Sequence, residues 1–320
     1  MRYGQIAGVG KPISRIVYGC ASEAMLRGED LRATLDEALA CSVTAFDTAR
    51  VYQQSERVLG DWLRGQKRDE LVIITKGCHP DDETPNRVNE RCLRDDLRRS
   101  LSELRTDYID VYLLHRDDLG VPVGAMVEAL NARREAGEIR AFGASNWTAA
   151  RIAQANEYAR THGLTPFAVS SPQLSLAVQV ADPYGGGAGC VSLTGDAMAD
   201  ERAWYRQTDL PVLAYSCLAR GMLSGKLRSA DASRAEQVLD PFSVKGFLCQ
   251  ENVERLRRAE ALAREKGCTV AQLAVAWALG QALNVFAILT SASPERLRAN
   301  AGGVDVAVSA EEAAWLNLEA

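Results

Sequence analysis

Short apolar runs alternate with segments of helical spacing from about residue 15 to residue 300, and several of the runs end on a polar residue. Arg15-Ile16-Val17-Tyr18-Gly19 is the first predicted strand, and a helix over 30–39 follows with Asp30 as its cap. Strand 45–47 precedes a helix over 55–63. Strand 71–76 precedes a helix over 86–104 whose Arg, Asp and Glu residues are assigned to an outward face. Strand 108–115 leads to helix 123–136, where Gly137 suits a left-handed stop. Strand 139–144 leads to helix 148–161, strand 167–170 to a helix near 200–207, strand 211–215 to helix 270–279, and strand 285–289 to helix 294–301.

Apolar runs that do not alternate with polar residues belong to strands covered on both faces, which in this setting means a parallel sheet. Eight strand–helix units without a long helical insert predict an α/β fold of the closed (β/α)8 type, a TIM barrel, with residues 1–320 as one domain. Length alone would also accommodate two domains. No Gly-x-Gly-x-x-Gly follows the first strand, which argues against an open doubly wound sheet. Two long connections, 171–199 and 216–250, follow strands and are rich in Gly, Ser and Asp. Loops of that kind sit on the side of a barrel where binding sites are built.

Composition narrows the partners. The 37 basic and 42 acidic residues are well mixed and give a net charge of −5, so neither a nucleic acid nor a membrane surface is an expected partner. The N-terminus lacks an apolar core of signal-peptide length, and no stretch approaches the roughly 18 apolar residues of a membrane span. A soluble, cytoplasmic protein is expected. Cys20, Cys41, Cys78, Cys92, Cys190, Cys217, Cys249 and Cys268 form no Cys-x-x-Cys pair and read as free buried thiols. His79, His115 and His162 show no zinc-site spacing, so no metal ligand is assigned. No pattern sets an oligomeric state.

The polar residues at the strand ends carry the chemistry. Asp47 ends the second strand with Tyr52 five residues on, Lys76 ends the third and His115 the fourth. Taken singly, each has an ordinary reading: an Asp cap, a core Tyr, a solvated turn Lys, a buried His. Taken together they make a device. A tyrosine hydroxyl titrates near ~10, and a neighbouring ammonium favours its phenolate. Lys76 would supply that charge, Asp47 would balance it, and His115 would donate to a substrate oxygen. Such a set protonates an oxygen on which negative charge develops, as in reduction of a carbonyl to an alcohol.

Over nearly its whole length the chain resembles the aldo-keto reductases. The residues that carry the resemblance are Phe46-Asp47-Thr48-Ala49-x-x-Tyr52-x-x-Ser55-Glu56-x-x-Leu59-Gly60, Ile74-Thr75-Lys76, and Asp107 through Arg116. Residues Gly137 through Trp147 and Ala214-Tyr215-Ser216-x-Leu218-x-x-Gly221 through Lys226 continue it. The resemblance implies that Tyr52 is a general acid tuned by Lys76 and Asp47, that His115 orients the carbonyl, and that hydride comes from C4 of a nicotinamide. It implies cofactor contacts from Gly19, from Ser145, Asn146 and Gln173 on the carboxamide, from the Tyr215 ring, from Ser216, Leu218 and Gly221 on the pyrophosphate, and from Ser291, Arg296 and Asn300 at the adenine end. Without it, Ser145-Asn146 reads as the cap of the next helix.

The chain departs from the pattern at Thr290, where many members carry a lysine for the 2′-phosphate of NADP; NADPH is still the expected cofactor, with NADH as the alternative. Ser42 and Gln53 are smaller departures expected to alter loop shape. The expected partner is a small carbonyl compound. Trp147, Arg116, Asp117, Asp118, Asp182 and Tyr184 are candidates for the pocket mouth, a polar set that suits a hydroxylated or sugar-like carbonyl better than a steroid. Two other classes compete: a cofactor-binding, redox-sensing regulatory subunit with little turnover, and a lyase forming a Schiff base on Lys76.

Overall fold

The computed structural model describes residues 1–81, 83–185 and 188–319; Gly186 and Gly187 of the glycine run lie outside the described residues. Among the described residues, eight parallel strands close into a barrel. They are β1 (Ile16–Gly19), β2 (Ala45–Asp47), β3 (Val72–Gly77), β4 (Ile109–Leu114), β5 (Ile139–Ser145), β6 (Val169–Ser171), β7 (Val212–Ala214) and β8 (Val285–Leu289), and β8 pairs with β1 to close the ring. Around them run α1 (Arg32–Ala40), α2 (Ser55–Leu63), α3 (Glu90–Leu104), α4 (Val123–Glu135), α5 (Ala149–Thr161), α6 (Ala199–Thr208), α7 (Val270–Leu279) and α8 (Pro294–Ala301). The predicted (β/α)8 architecture is the observed one. No helix among the described residues is long and apolar enough to cross a membrane.

The alternation of side chains along each strand splits the apolar residues into two cores. Val17, Ala45, Val72, Ile74, Val111, Leu113, Ala141, Val169, Leu213, Phe286 and Ile288 fill the barrel interior. Their immediate neighbours, such as Tyr18, Phe46, Ile73, Tyr112, Leu114 and Phe142, pack outward against the helices. Both sets are buried, which is why the runs read as continuously apolar. Gly143 marks the closest approach within the sheet, since a Cβ there would overlap the Val169 carbonyl oxygen.

The amino-terminal segment forms a short antiparallel hairpin, Tyr3–Gly4 with Ile13–Ser14, and inserts Ile6 and Val9 into the bottom of the interior core. An ionic network fastens it. Lys11 Nζ donates to Asp110 Oδ1 at 2.7 Å and to Leu71 O at 2.7 Å, and Arg68 Nη1 reaches Asp110 Oδ2 at 2.7 Å. Asp110 is fully buried on β4 and also accepts from Ile73 N.

Several local expectations are corrected. The third helix begins at Glu90 rather than near 86, because Asn89 is its N-cap and accepts from Cys92 N. One of its acids is not outward: Asp96 is buried, accepting from Cys78 N at 2.8 Å and Arg87 Nη2 at 2.6 Å. Asp30 accepts from Arg32 N, while the N-cap position itself belongs to Leu31. The connection 216–250 holds two short helices, Ala235–Val238 and Pro241–Phe247, and a sixteen-residue helix, Gln250–Glu265, precedes α7. The cysteines are free as expected, but Cys41, Cys92, Cys190, Cys249 and Cys268 are only half-buried.

The Asp110 network predicts a stability effect far from the mouth of the barrel. Asp110→Ala should lower unfolding free energy by about 3 kcal/mol, the low end for breaking a buried pair because Lys11 and Arg68 keep some solvent. Urea unfolding would measure it, and a loss under about 1 kcal/mol would show that the hairpin is held by its apolar plug alone.

Candidate active site

Strand parity delivers the polar residues to one place. Asp47 shares the inward face of β2 with Ala45, Lys76 that of β3 with Val72 and Ile74, and His115 follows Val111 and Leu113 just past β4. Gly19, Ser145 and Ser171 hold the corresponding places on β1, β5 and β6, and Tyr215 packs against the interior core just past β7. All are at the carboxyl ends of their strands, so the barrel mouth collects them.

Tyr52 is carried by a loop that keeps the sheet's hydrogen bonding after β2 has ended. Thr48 N donates to Ile74 O at 2.9 Å and Arg50 N to Lys76 O at 2.8 Å, so the loop stays stitched to β3. Ser55 and Glu56 hold it from below: Ser55 Oγ donates to Cys20 O, Thr75 Oγ1 donates to Glu56 Oε1, and Arg50 pairs with the other Glu56 oxygen. The family motif contains Glu56, but only the structure reveals it as a buried buttress.

At the centre, Lys76 Nζ donates to Asp47 Oδ1 at 2.6 Å, to Asp47 Oδ2 at 2.7 Å and to Thr48 O at 2.9 Å. The same nitrogen lies 5.4 Å from the centroid of the Tyr52 ring. The His115 ring meets Tyr52 edge-on with centroids 5.7 Å apart, and His79 backs His115 at 4.8 Å. The four residues proposed from strand ends are therefore neighbours in space.

Burial sets the charge states. Burial works to lower the Lys76 pKa, but Asp47 and the Tyr52 hydroxyl outweigh it and hold the ammonium above its usual value. Asp47 is pushed up by burial, with Lys76 opposing. For Tyr52 burial also comes first and raises the pKa, overriding the downward pull of Lys76. The sequence reading had only the ammonium in view; desolvation of the phenolate is the larger effect here. His115 is driven well below its usual value by burial and then by Lys76, Arg116 and His79, so it is a neutral imidazole. Its Nδ1 has no hydrogen-bond partner among the described residues.

The residues expected at the carboxamide also meet. Asn146 Oδ1 accepts from Tyr215 Oη at 2.7 Å and from Val191 N at 3.2 Å, and its Nδ2 donates to Ser145 Oγ at 3.1 Å. Ser145 Oγ donates to Ser171 O. Gln173 is fully buried, with Nε2 on Ser175 Oγ and Oε1 accepting from Ser192 Oγ, so it ties the long loop after β6 to the mouth. The helix cap expected at Ser145-Asn146 is instead Thr148, whose side chain accepts from Arg151 N.

Ser216, Leu218 and Gly221 form a tight turn past β7, with Ala219 N bonded to Ser216 O and Gly221 N to Leu218 O. The residues expected at the adenine end come from β8 and α8. Ser291 follows β8 and receives Tyr18 Oη on its carbonyl, while exposed Arg296 and half-buried Asn300 lie on α8. Gly19 adjoins this end, since a Cβ there would overlap Thr290 Oγ1. Ser42 and Gln53 keep left-handed backbones, φ 61° and 42°, so the loop shapes a glycine would favour are retained under strain.

Of the residues expected to line the mouth, several are engaged elsewhere. Trp147 is buried with Nε1 on Arg116 O, and Asp117 is paired with Arg151 at 3.1 Å. Asp182 accepts from the backbone N–H groups of Tyr184, Gly185 and Cys190, and Asp118 from Gly120 N. Tyr184 accepts from Arg220 and packs on Phe242.

Comparison with known proteins identifies the family of the chain. The sequence profile of the Aldo/keto reductase family matches residues 15–317. Norsolorinic acid reductase stcV of Emericella nidulans is 29% identical over 293 residues, which make up 88% of this chain and 69% of that protein.

The neutral His115 has a consequence for pH. In the unfolded chain it binds a proton near its usual 6.5, whereas the folded site resists protonation to much lower pH. Its contribution to stability is thus complete above that value and lost as pH falls below it. Denaturant midpoints should decline between about pH 7 and about pH 5, and His115→Asn should flatten part of that decline. An unchanged slope in the variant would assign the effect to other groups, His79 first among them.

Proposed function

The chain belongs to the aldo/keto reductase family of nicotinamide-dependent oxidoreductases, and from that premise we propose that it reduces an aldehyde or ketone to the alcohol with Tyr52 as general acid. The observation that carries the proposal is the buried Lys76–Asp47 pair set beside the Tyr52 ring, with a neutral His115 against the ring's edge.

The donor set fits a nicotinamide cofactor. Ser145, Asn146 and Gln173 offer the amide and hydroxyl groups that a carboxamide requires, and the Tyr215 ring offers a flat face; at Gly19 a Cβ would overlap Thr290 Oγ1, so close packing against β8 already calls for a glycine there. Ser216, Leu218 and Gly221 would take the pyrophosphate, and Ser291, Arg296 and Asn300 the adenine end. NADPH is the cofactor we assign first, since Arg296 stands exposed on α8; Thr290, where a lysine would bind the 2′-phosphate, keeps NADH as the competitor. When bound, the reduced nicotinamide supplies the hydride.

The chain's own groups do the rest. Tyr52, its pKa raised by burial, holds its proton at neutral pH and is able to give it to the carbonyl oxygen. The phenolate left behind is stabilised by the ammonium of Lys76, which Asp47 and Thr48 O hold in place. Neutral His115 donates one ring N–H toward the same oxygen and so fixes its position. Held as an ammonium by three acceptors, Lys76 lacks the lone pair that a Schiff base needs, which speaks against the lyase alternative. An assembled acid with its counter-ions speaks against a purely regulatory role. The acidic residues that suggested a sugar-like substrate are bonded within the protein, so they lend that class no support.

Tyr52→Phe should lower kcat by at least about 10²-fold with cofactor affinity retained, because the hydroxyl acts on the transition state rather than on ground-state binding. Stopped-flow turnover and cofactor titration would separate the two, and near-normal kcat would remove Tyr52 from the role. Thr290→Lys should shift the ratio of kcat/KM values toward NADPH by about tenfold, the effect of one added charge-assisted contact; an unaltered ratio would place the 2′-phosphate elsewhere.

A further inference from the structure

Arg116 follows His115 immediately, and its side chain turns into the protein rather than to solvent. The residue is 5% exposed. Among the described residues its guanidinium makes one hydrogen bond, from Nη1 to His115 O at 3.2 Å, and its buried Nε has no partner. Among the described residues it forms no ion pair. The carboxylates closest to it in sequence are committed: Asp117 to Arg151, and Asp118 to Gly120 N. Asp182, in the loop that crosses the mouth, is held by three backbone N–H groups.

An uncompensated guanidinium at this depth is unusual, because a charge buried without a partner gives up its hydration with nothing to replace it. Where the charge sits explains what would balance it. Its acceptor, His115 O, is shared with Asn146 Nδ2 at 3.4 Å, so it lies between the imidazole and the carboxamide-binding group. Its field is felt at Tyr52, His115, His79, Cys190 and Tyr215, all around the mouth.

We propose that Arg116 forms a subsite for a carboxylate carried by the carbonyl substrate, received on the Nε–Nη2 edge that the fold leaves without a partner. That edge is planar and presents two parallel N–H groups, the geometry that matches the two oxygens of a carboxylate. A phosphate dianion would call for a second free cation, and Arg220 and Arg50 are already paired, with Asp240 at 3.2 Å and with Glu56. The substrate class is therefore an oxo acid, in which an aldehyde or ketone is reduced at Tyr52 while its carboxylate rests on Arg116. This deepens the carbonyl-reductase reading and rests on it.

The test compares unbranched ω-oxo carboxylates of increasing length with their methyl esters, which keep the aldehyde and remove the charge. The wild-type protein should favour at least one acid over its ester by about ten- to hundredfold in kcat/KM, the range for a hydrogen bond to a charged group. Arg116→Gln should erase that preference, mainly through KM, and Arg116→Lys should keep part of it. Equal use of acids and esters by the wild type overturns the proposal without recourse to any variant. So does a parallel loss of both in Arg116→Gln, which would make the guanidinium an electrostatic aid to Tyr52. If no aldehyde is reduced at all, the carbonyl-reductase reading fails, and calorimetry with the matching dicarboxylates decides the subsite by itself. Binding by the wild type that Arg116→Gln loses would support it, and equal or absent binding would overturn it.

Discussion

A lysine and an aspartate buried side by side at the mouth of a barrel form the constraint around which that end of the fold is organised. Neither charge is affordable alone in that setting, and each is acceptable only with the other within hydrogen-bonding distance. The pair therefore fixes the relative position of β2 and β3 at their carboxyl ends, and through the Thr48 and Arg50 backbone bonds it fixes the loop that carries Tyr52. An apolar replacement of similar volume could hold the strands as well. What it could not supply is a fixed positive charge beside a phenol in a site that excludes water.

The mouth is shaped by backbone conformations that ordinary side chains rarely adopt. Cys78, Asn146 and Ser216 each come directly after the last inward-facing stretch of β3, β5 and β7, and each has φ between 54° and 61°. Left-handed residues at these points turn the chain sharply across the opening instead of letting it run on toward the helices. For Asn146 the turn is also what swings the carboxamide toward Tyr215 and away from the helix-capping place that Thr148 takes. Strain of this kind costs of order 1 kcal/mol or more per residue and gathers where function requires a particular geometry. The opposite end of the barrel has left-handed residues too, Ser42, Arg105 and Asp209, but these only close helix-to-strand turns, and there the Asp110 network and the apolar plug of Ile6 and Val9 do ordinary structural duty.

Charge at the mouth is distributed unevenly. Glu56, Asp47 and Asp117 each have a cation within the protein, whereas Arg116 has no anion among the described residues. Asp118 and Asp182 are held instead by backbone N–H groups, so the open guanidinium is the feature on which the proposed carboxylate subsite rests.

The order of the eight barrel strands and their flanking helices, the closed barrel and the strand ends bearing Asp47, Lys76 and His115 were determined by sequence, because buried parallel strands leave continuous apolar runs and the polar residue that ends each run stands out against them; the helices over 235–265 were not. The alternation of inward and outward faces was also implicit there, since it follows from the two-residue period of a strand. Tertiary structure alone decided the rest. Whether burial or the neighbouring ammonium governs Tyr52 depends on how much water the folded site admits, and no local pattern records that. The burial of Asp96, the engagement of Asp117 and Asp182, the left-handed turns at Ser42 and Gln53, and the open edge of Arg116 depend on which distant residues arrive beside them. Spacing along a chain specifies which face a side chain takes; its partner is set by packing between segments that the chain separates by tens of residues.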